Sequence, residues 1–245
     1  MLRAVIFDFD GTLIQTERLK GKAYAIAAVQ LKPDQLSEEE VFVAFKEYVG
    51  GSREEVSKSL IDHFDLEAAA RSRMGEFSAS APWQVLTRLR LQIYHDMLSD
   101  DETIRAAAWT HNMALLQQVR DAQCKIGLAT MSYCQQVGRL LKALGLDSAF
   151  DFIATREDVD KPKPDPEIYQ LVSRALNIAL DDILIIEDSV AGVQAGISAG
   201  AHVLAVATPL TREKLHQSGL LNAAYIVDSP VTLQEKMAEI FRKLK

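Results

Sequence analysis

The stretch that decides the fold is Leu2-Arg3-Ala4-Val5-Ile6-Phe7-Asp8-Phe9-Asp10-Gly11-Thr12. Its first half is short, apolar and β-branched, which is typical of a strand buried on both faces of a parallel sheet. Two carboxylates, Asp8 and Asp10, follow it directly. In open α/β sheets, ligands bind beyond the carboxyl ends of the strands. The stretch therefore predicts a parallel sheet with a candidate site at the end of its first strand.

Similar apolar runs recur along the chain and alternate with helix patterns. The runs cover residues 125–129, 150–153, 183–186, 202–206 and 224–227. The helix patterns beside them cover residues 113–123, 134–144, 167–176 and 190–199. Alternation of strands and helices with short connections indicates a layered α/β fold, here a Rossmann-like core around a parallel sheet.

The stretch from about Gln15 to about Ser99 breaks this alternation, because it contains no run typical of a buried strand. It contains helix patterns over residues 17–31, 37–48, 53–63, 66–74 and 86–98. A wholly helical insert after the first strand of a parallel sheet indicates a separate domain. We therefore predict a core domain of residues 1–15 and 99–245 and an inserted α-helical cap domain of residues 16–98.

The composition excludes several classes of protein. The chain has 245 residues, of which 48% are apolar and 25% charged, close to the average of soluble globular proteins. A net charge of −7 gives no basic surface for nucleic acid. No apolar run reaches the roughly 18 residues of a membrane span, and the apolar start of the chain is too short for a signal-peptide core. Cys124 and Cys134 cannot make a disulfide framework, so we expect a cytoplasmic protein. From the charge and the apolar runs, we expect neither a nucleic-acid nor a membrane partner.

A second acidic pair supports a site at the edge of the sheet. Glu187 and Asp188 follow the apolar run of residues 183–186. Carboxylates crowded at strand ends are costly unless a cation neutralises them, and Mg²⁺ prefers one or two carboxylates together with phosphate oxygens. The candidate metal ligands are therefore Asp8, Asp10, Glu187 and Asp188. The alternative is that these residues only cap the helices that follow, as single aspartates often do.

Two more polar residues are candidates for binding phosphate. Thr130 follows the run of residues 125–129 beside a predicted helix start, where a hydroxyl is well placed for a phosphate oxygen. Lys161 lies in Asp160-Lys161-Pro162-Lys163-Pro164-Asp165-Pro166, a loop that is stiffened by alternate prolines. Lys163, in the same loop, is an alternative candidate for binding phosphate. The ordinary alternatives are a helix cap for Thr130 and a solvated loop side chain for Lys161.

These motifs together resemble the four ordered motifs of the haloacid-dehalogenase-like hydrolases. They are Asp8-Phe9-Asp10-Gly11-Thr12, Ala129-Thr130, Lys161-Pro162-Lys163-Pro164-Asp165 and Glu187-Asp188-Ser189-x-x-Gly192. The resemblance spans residues 1 to about 228, and the helical insert resembles the α-helical cap of the family. The nearest branch is that of the β-phosphoglucomutase-like and phosphoglycolate-phosphatase-like enzymes.

The resemblance implies a catalytic role for each matching residue. Asp8 would be the nucleophile that forms an aspartyl-phosphate. Asp10 would protonate the leaving oxygen and then activate the hydrolytic water. Thr130 and Lys161 would bind the transferring phosphoryl group and stabilise its charge.

The resemblance also implies a cofactor. Asp8, the backbone carbonyl of Asp10, and Asp188 would hold Mg²⁺, with Glu187 either a ligand or a residue behind the ligands. Dehalogenase members lack an aspartate at the position of Asp10 and need no metal, so its presence here implies phosphate chemistry.

We expect the helical insert to determine substrate specificity. Val49-Gly50-Gly51-Ser52-Arg53-Glu54-Glu55 resembles the specificity loop of the sugar-phosphate members, where the matching arginine binds a second phosphate. Arg53 is therefore a candidate substrate-binding residue, through bidentate hydrogen bonds. The alternative is that Ser52 caps a helix and Arg53 is solvated in its first turn. Lys20 stands where many members have a histidine that is important to the mutase, which disfavours a mutase.

The sequence thus predicts a magnesium-dependent phosphomonoester hydrolase that acts on a small phosphorylated metabolite, as a monomer or homodimer. Two alternatives stay open. One is a β-phosphoglucomutase-like sugar phosphomutase, and the other is a catalytically silent binding or regulatory protein on the same fold. The complete set of four acidic residues favours an enzyme.

Overall fold

The computed structural model describes residues 1–49 and 51–243. The chain divides into two compact units. The first contains Met1–Gln15 and the chain from Ile104 onward, and the second contains Thr16–Thr103. None of the helices in the described ranges is long and apolar enough to cross a membrane.

The first unit is built on one sheet of six strands, all paired in parallel. The strands are β1 (Ala4–Phe7), β2 (Lys125–Ala129), β3 (Phe152–Ala154), β4 (Ile183–Glu187), β5 (His202–Val206) and β6 (Ile226–Val227). Their order in the sheet is β3-β2-β1-β4-β5-β6, which places β1 between β2 and β4. The predicted Rossmann-like core with a parallel sheet is confirmed, and each strand overlaps one of the predicted runs.

In the described residues of the second unit, all regular secondary structure is helical. Its helices are α1 (Thr16–Leu31), α2 (Glu38–Phe45), α3 (Arg53–His63), α4 (Glu67–Ser72) and α5 (Pro82–Ser99), with a 3₁₀ turn at Lys46–Tyr48. Helices α2 and α3 both begin with a complete capping box, in which a serine and a glutamate satisfy each other's backbone N–H groups. These caps define where each helix begins.

The remaining helices flank the sheet or lead into it. They are α6 (Asp101–Ala106), α7 (Thr110–Asp121), α8 (Cys134–Leu144), α9 (Glu167–Leu176), α10 (Val190–Ala199), α11 (Arg212–Ser218) and α12 (Pro230–Lys243). Of these, α6, α11 and α12 were not predicted. Helices α8 and α10 end at Gly145 and Gly200, both in the left-handed conformation that a glycine adopts without steric cost.

The segments of the first unit that flank the insert lie side by side. The Gln15 N–H donates to the Ala107 carbonyl at 2.8 Å, and the Trp109 N–H donates to the Leu13 carbonyl at 2.9 Å. The Asn112 side chain adds a bond to the Thr12 carbonyl at 2.5 Å. Residues 108–112 therefore join the loop after β1 to the start of α7.

The register of the central strands sets the position of the site. Phe7 pairs with Leu128 of β2 and with Ile186 of β4. The residues that follow these three positions therefore lie level with one another at the carboxyl edge. They are Asp8, Ala129 and Glu187.

Candidate active site

Asp8 occupies the centre of the carboxyl edge. Its backbone N–H continues the sheet by donating to the Ile186 carbonyl at 2.9 Å, so the strand geometry fixes its position. Its side chain is 8% exposed, and Oδ1 accepts a hydrogen bond from Lys163 Nζ at 2.7 Å. A carboxylate placed in this way is held rigidly at the sheet edge, with one oxygen occupied by a cation.

The lysine at the site is Lys163, and the prediction of Lys161 is wrong on this point. Lys163 Nζ donates to Asp8 at 2.7 Å, to Glu187 at 2.7 Å and to the Ala129 carbonyl at 3.0 Å. The Lys161 side chain is 73% exposed, and its Nζ lies 3.8 Å from Asp165. The physical difference is burial: the Lys163 side chain is 5% exposed between two carboxylates, whereas Lys161, two residues earlier in the loop, faces solvent.

Glu187 is the most fully hydrogen-bonded carboxylate of the site. Its Oε1 accepts from Lys163 at 2.7 Å and from the Tyr169 hydroxyl at 3.0 Å. Its Oε2 accepts from the Asp188 and Ser189 N–H groups and from the Ser189 hydroxyl. Five donors on two oxygens make Glu187 an anchor for Lys163 and for the turn into α10.

Asp10 lies next to two hydroxyl groups from the loop after β2. Its Oδ2 accepts from Thr130 Oγ1 at 3.0 Å and from Ser132 Oγ at 2.7 Å. Thr130 is fully buried, and its hydroxyl also accepts from the Ser132 N–H at 3.0 Å. The structure therefore brings Thr130 to the site as a partner of Asp10, and it adds Ser132, which the sequence analysis missed.

Three carboxylates are arranged to share one cation. One oxygen from each of Asp8, Glu187 and Asp188 lies within 4.8 Å of the other two. The carboxylate of Asp10 is not among the described members of this group. Gly11, with φ of +90°, packs so closely that a Cβ on it would lie 2.1 Å from Asp188 Oδ2. Only glycine permits both this backbone conformation and this approach.

The electrostatics of the site fit a divalent cation. Burial raises the pKa of Asp8 to about 7; the Lys163 charge opposes this rise, and the Glu187 and Asp10 charges add to it. Burial alone would lower the pKa of Lys163, but Asp8 and Glu187 hold that pKa well above its ordinary value. One ammonium thus faces several carboxylates in a dry site. A hard cation with oxygen ligands, such as Mg²⁺, would relieve that imbalance.

Among these carboxylates, Asp8 and Asp188 fit direct coordination best. Each oxygen of Glu187 already accepts at least two hydrogen bonds, which leaves it little capacity for a metal. Burial opposes the ionisation of Glu187, yet the Lys163 charge and the surrounding donors keep its pKa below the ordinary value. Glu187 therefore carries a negative charge beside Lys163 and Asp8.

In the second unit, Arg53 is the first residue of α3 and is exposed. Ser52 caps this helix and Glu55 completes the capping box. This is the helix cap of the alternative interpretation, in which Arg53 is solvated in the first turn. Gly50, part of the resembling loop, lies outside the described residues. A second arginine, Arg90 of α5, is only 5% exposed and lies between the rings of Tyr24 and Tyr94, 4.9 Å and 4.8 Å from their centroids.

The comparisons with known proteins agree with this arrangement. Residues 5–206, which are most of the chain, match the family model described as haloacid dehalogenase-like hydrolase. The chain belongs to the haloacid dehalogenase-like hydrolases. The resemblance drawn from the four motifs is thereby confirmed, and the protein is an enzyme of a hydrolase family.

Relatives in this family carry names from phosphate chemistry. A phosphorylated carbohydrates phosphatase from Thermotoga maritima is 28% identical over 200 residues, which cover 81% of this chain and 82% of the relative. The pyrophosphatase PpaX of Bacillus pumilus is 26% identical over 213 residues, which cover 87% of this chain and 87% of the relative. The crystal structure of β-phosphoglucomutase from Clostridium difficile superposes with a TM-score of 0.64 at 26% identity and covers 98% of this chain and 99% of that one.

Proposed function

We propose that this haloacid dehalogenase-like hydrolase is a magnesium-dependent phosphomonoester hydrolase that works through an aspartyl-phosphate. The observation that carries the proposal is the buried contact between Asp8 and Lys163, 2.7 Å apart, with Asp188 close enough to share a cation with Asp8. Phosphoryl transfer needs positioning and neutralisation of charge above all. The edge of the sheet offers both.

In the proposed reaction, the free oxygen of Asp8 attacks phosphorus. A bond forms between that oxygen and phosphorus while the bond from phosphorus to the substrate oxygen breaks. Asp10 gives a proton to the departing oxygen. It then takes a proton from the water that attacks phosphorus, which releases phosphate and restores Asp8. Thr130 and Ser132 orient Asp10 through their bonds to its Oδ2.

The proposed role of Lys163 is to hold the nucleophile. Its Nζ donates to Asp8, Glu187 and the Ala129 carbonyl, so all three ammonium hydrogens have acceptors within the protein. Its positive charge also stabilises negative charge that develops on the phosphoryl oxygens. When bound, Mg²⁺ supplies charge neutralisation at the phosphate. Asp8, Asp188 and the backbone carbonyl of Asp10 would hold it, with Glu187 behind them.

The proposed substrate is a small phosphorylated metabolite, such as a sugar phosphate or an organic-acid phosphate. The name of one relative, phosphorylated carbohydrates phosphatase, supports this class, and the name pyrophosphatase of another supports phosphate hydrolysis in general. We assign the role of cap to the helical unit Thr16–Thr103 and the binding of a second anionic group to Arg53. The proposed location is the cytoplasm, and the proposed assembly is a monomer or homodimer without nucleic-acid or membrane partners.

A sugar phosphomutase is the second candidate, because the Clostridium difficile structure carries that name. The two functions differ in their product: a hydrolase releases inorganic phosphate, and a mutase returns an isomeric sugar phosphate. Lys20, which pairs with Glu17 at 2.5 Å on α1, stands in place of the histidine important to mutases and favours the hydrolase.

The experiment is a screen of phosphorylated metabolites with Mg²⁺ present, read as release of inorganic phosphate. We expect release that stops on chelation and returns when Mg²⁺ is restored. Asp8→Asn serves as the matched control for contaminating phosphatases, since an amide cannot replace the attacking carboxylate. Release by the parent that equals release by Asp8→Asn would overturn the proposal.

A further inference from the structure

The residue that fixes the place of Lys163 is Tyr169, on the helix that follows the Lys163 loop. Tyr169 is the third residue of α9 and is fully buried. Its hydroxyl donates to Glu187 Oε1 at 3.0 Å, the same oxygen that Lys163 contacts at 2.7 Å. The Tyr169 hydroxyl and Lys163 Nζ therefore share one acceptor atom. A shift of either donor changes the hydrogen-bond geometry available to the other.

The ring of Tyr169 contacts the lysine as well. Lys163 Nζ lies 4.9 Å from the centre of the ring, within the range in which an aromatic face attracts a cation. Tyr169 also belongs to the hydrophobic cluster between the sheet and the helices beside it. One side chain thus connects the rigid core of the first unit to the cation that contacts Asp8.

The rest of the Glu187 carboxylate is held by other groups, so Tyr169 acts on Oε1, the atom that it shares with Lys163. Its Oε2 accepts three hydrogen bonds from residues 188 and 189. Gly192 packs against it so tightly that a Cβ on that glycine would lie 1.7 Å from Glu187 Oε1. With Oε2 and the flank fixed, the described donors to Oε1 are Lys163 and Tyr169, so losing the Tyr169 hydroxyl should change how Lys163 Nζ is shared between Glu187 and Asp8.

We propose that Tyr169 is a positioning residue for the phosphoryl-transfer reaction: its hydroxyl fixes Glu187 Oε1 and its ring faces Lys163, and together they hold Nζ on Asp8. The inference rests on the proposed function for its kinetic part and on the geometry alone for its structural part. Tyr169 touches neither the substrate nor the reacting atoms in this arrangement. Its loss should therefore lower kcat and leave KM nearly unchanged.

The test is Tyr169→Phe, which keeps the ring and removes only the hydroxyl. Deleting a buried hydrogen bond to a charged group should lower kcat roughly five- to twentyfold, with KM within about twofold of the parent. Tyr169→Leu, which also removes the ring, should lower kcat further. The matched control is Ser173→Ala on the same helix, which removes the buried bond from Ser173 Oγ to the Ile178 carbonyl without touching the site. Its kcat should stay within twofold.

A double-variant comparison identifies the path of the effect. If Tyr169 acts through Glu187, adding Tyr169→Phe to Glu187→Gln should cost little beyond Glu187→Gln alone. Fully additive losses would overturn the proposal. So would a kcat for Tyr169→Phe that matches the parent, or one that falls no further than that of Ser173→Ala.

A spectroscopic measurement separates this inference from the proposed function. In protein labelled with ¹⁵N-lysine, the buried ammonium of Lys163 should give a slowly exchanging signal, assigned by its loss in Lys163→Met. Tyr169→Phe should shift that signal and speed its exchange with water, and Ser173→Ala should leave it in place. An unchanged Lys163 signal in Tyr169→Phe would overturn the positioning role, whether or not the parent hydrolyses phosphate esters.

Discussion

Replacing Lys163 with Met tests the assignment of the site most directly, and Lys161→Met is the matched control. Lys163 is 5% exposed and lies 2.7 Å from both Asp8 and Glu187. At an effective dielectric constant of about 20, each such contact corresponds to about 6 kcal/mol of Coulomb attraction before desolvation is subtracted. Removing one partner of a buried ion pair costs about 3–5 kcal/mol in measured cases. The Lys163→Met protein should lose stability on that order, because two buried carboxylates are left without their cation.

Lys161→Met removes an equal charge two residues away. Lys161 is 73% exposed, and its Nζ lies 3.8 Å from Asp165 Oδ2. Exposed pairs of this kind contribute about 0–1 kcal/mol. The two variants therefore have the same composition and net charge, and they differ only in which lysine is missing.

Urea unfolding and steady-state phosphate release measure the two effects. Lys163→Met should lower kcat/KM by roughly 10²–10³-fold, the range found when a donor that stabilises the transition state is removed. It should also lower the unfolding midpoint. Lys161→Met should stay within twofold in kcat/KM. A larger loss of activity in Lys161→Met than in Lys163→Met would refute the assignment, and the Lys163 contacts would then describe a structural ion pair.

Three further substitutions test other parts of the site. Asp10→Asn should slow turnover roughly 10²–10⁴-fold, because one group serves as acid and base; near-normal turnover in steady-state assays would contradict that role. Arg53→Ala should raise KM for substrates with a second anionic group and leave a simple aryl phosphate unaffected, and equal effects on both would remove Arg53 from substrate binding. Gly192→Ala should displace Glu187, because the added Cβ falls 1.7 Å from its Oε1; a crystal structure with Glu187 in place and full activity would contradict the packing argument.

The sheet was predictable because its strands are continuous apolar runs. Residues 125–129 and 202–206 were predicted and observed with the same bounds, since buried parallel strands carry few polar residues. Helices α6 and α11 have six and seven residues, too short to show a helical period. Helix α12 is different, because Leu233, Met237 and Ile240 repeat at helical spacing and are buried. That spacing is visible in the sequence itself.

The lysine of the site was ambiguous in the sequence for a definite reason. Prolines at 162, 164 and 166 produce two overlapping Lys-Pro-x-Pro patterns, one starting at Lys161 and one at Lys163. The contacts of the two side chains distinguish them: Lys163 Nζ lies 2.7 Å from Asp8 Oδ1, and Lys161 Nζ lies 3.8 Å from Asp165 Oδ2. Those contacts depend on how the loop packs against the sheet edge, which the residue pattern does not give.

Ser132 and Tyr169 carried no comparable signal. Ser132 reaches Asp10 because the loop after β2 turns back at Thr130, whose hydroxyl accepts the Ser132 N–H. Tyr169 reaches Glu187 because α9 packs in the core beside the sheet. Both contacts join residues on separate segments of the chain. A single sequence gives no measure of such packing.

The position of β1 in the middle of the sheet also governs how the site can form. Phe7 pairs with residues about 120 and 180 positions later in the chain, so neither neighbour of β1 is local. Contacts of such long range form slowly, since a large loop must close before they repay its entropy. The contacts among the helices of Thr16–Thr103 span shorter stretches of chain than these pairings. Until β4 joins the sheet, Asp8 lacks Glu187 and Asp188, so catalytic competence should appear only after this long-range pairing has formed.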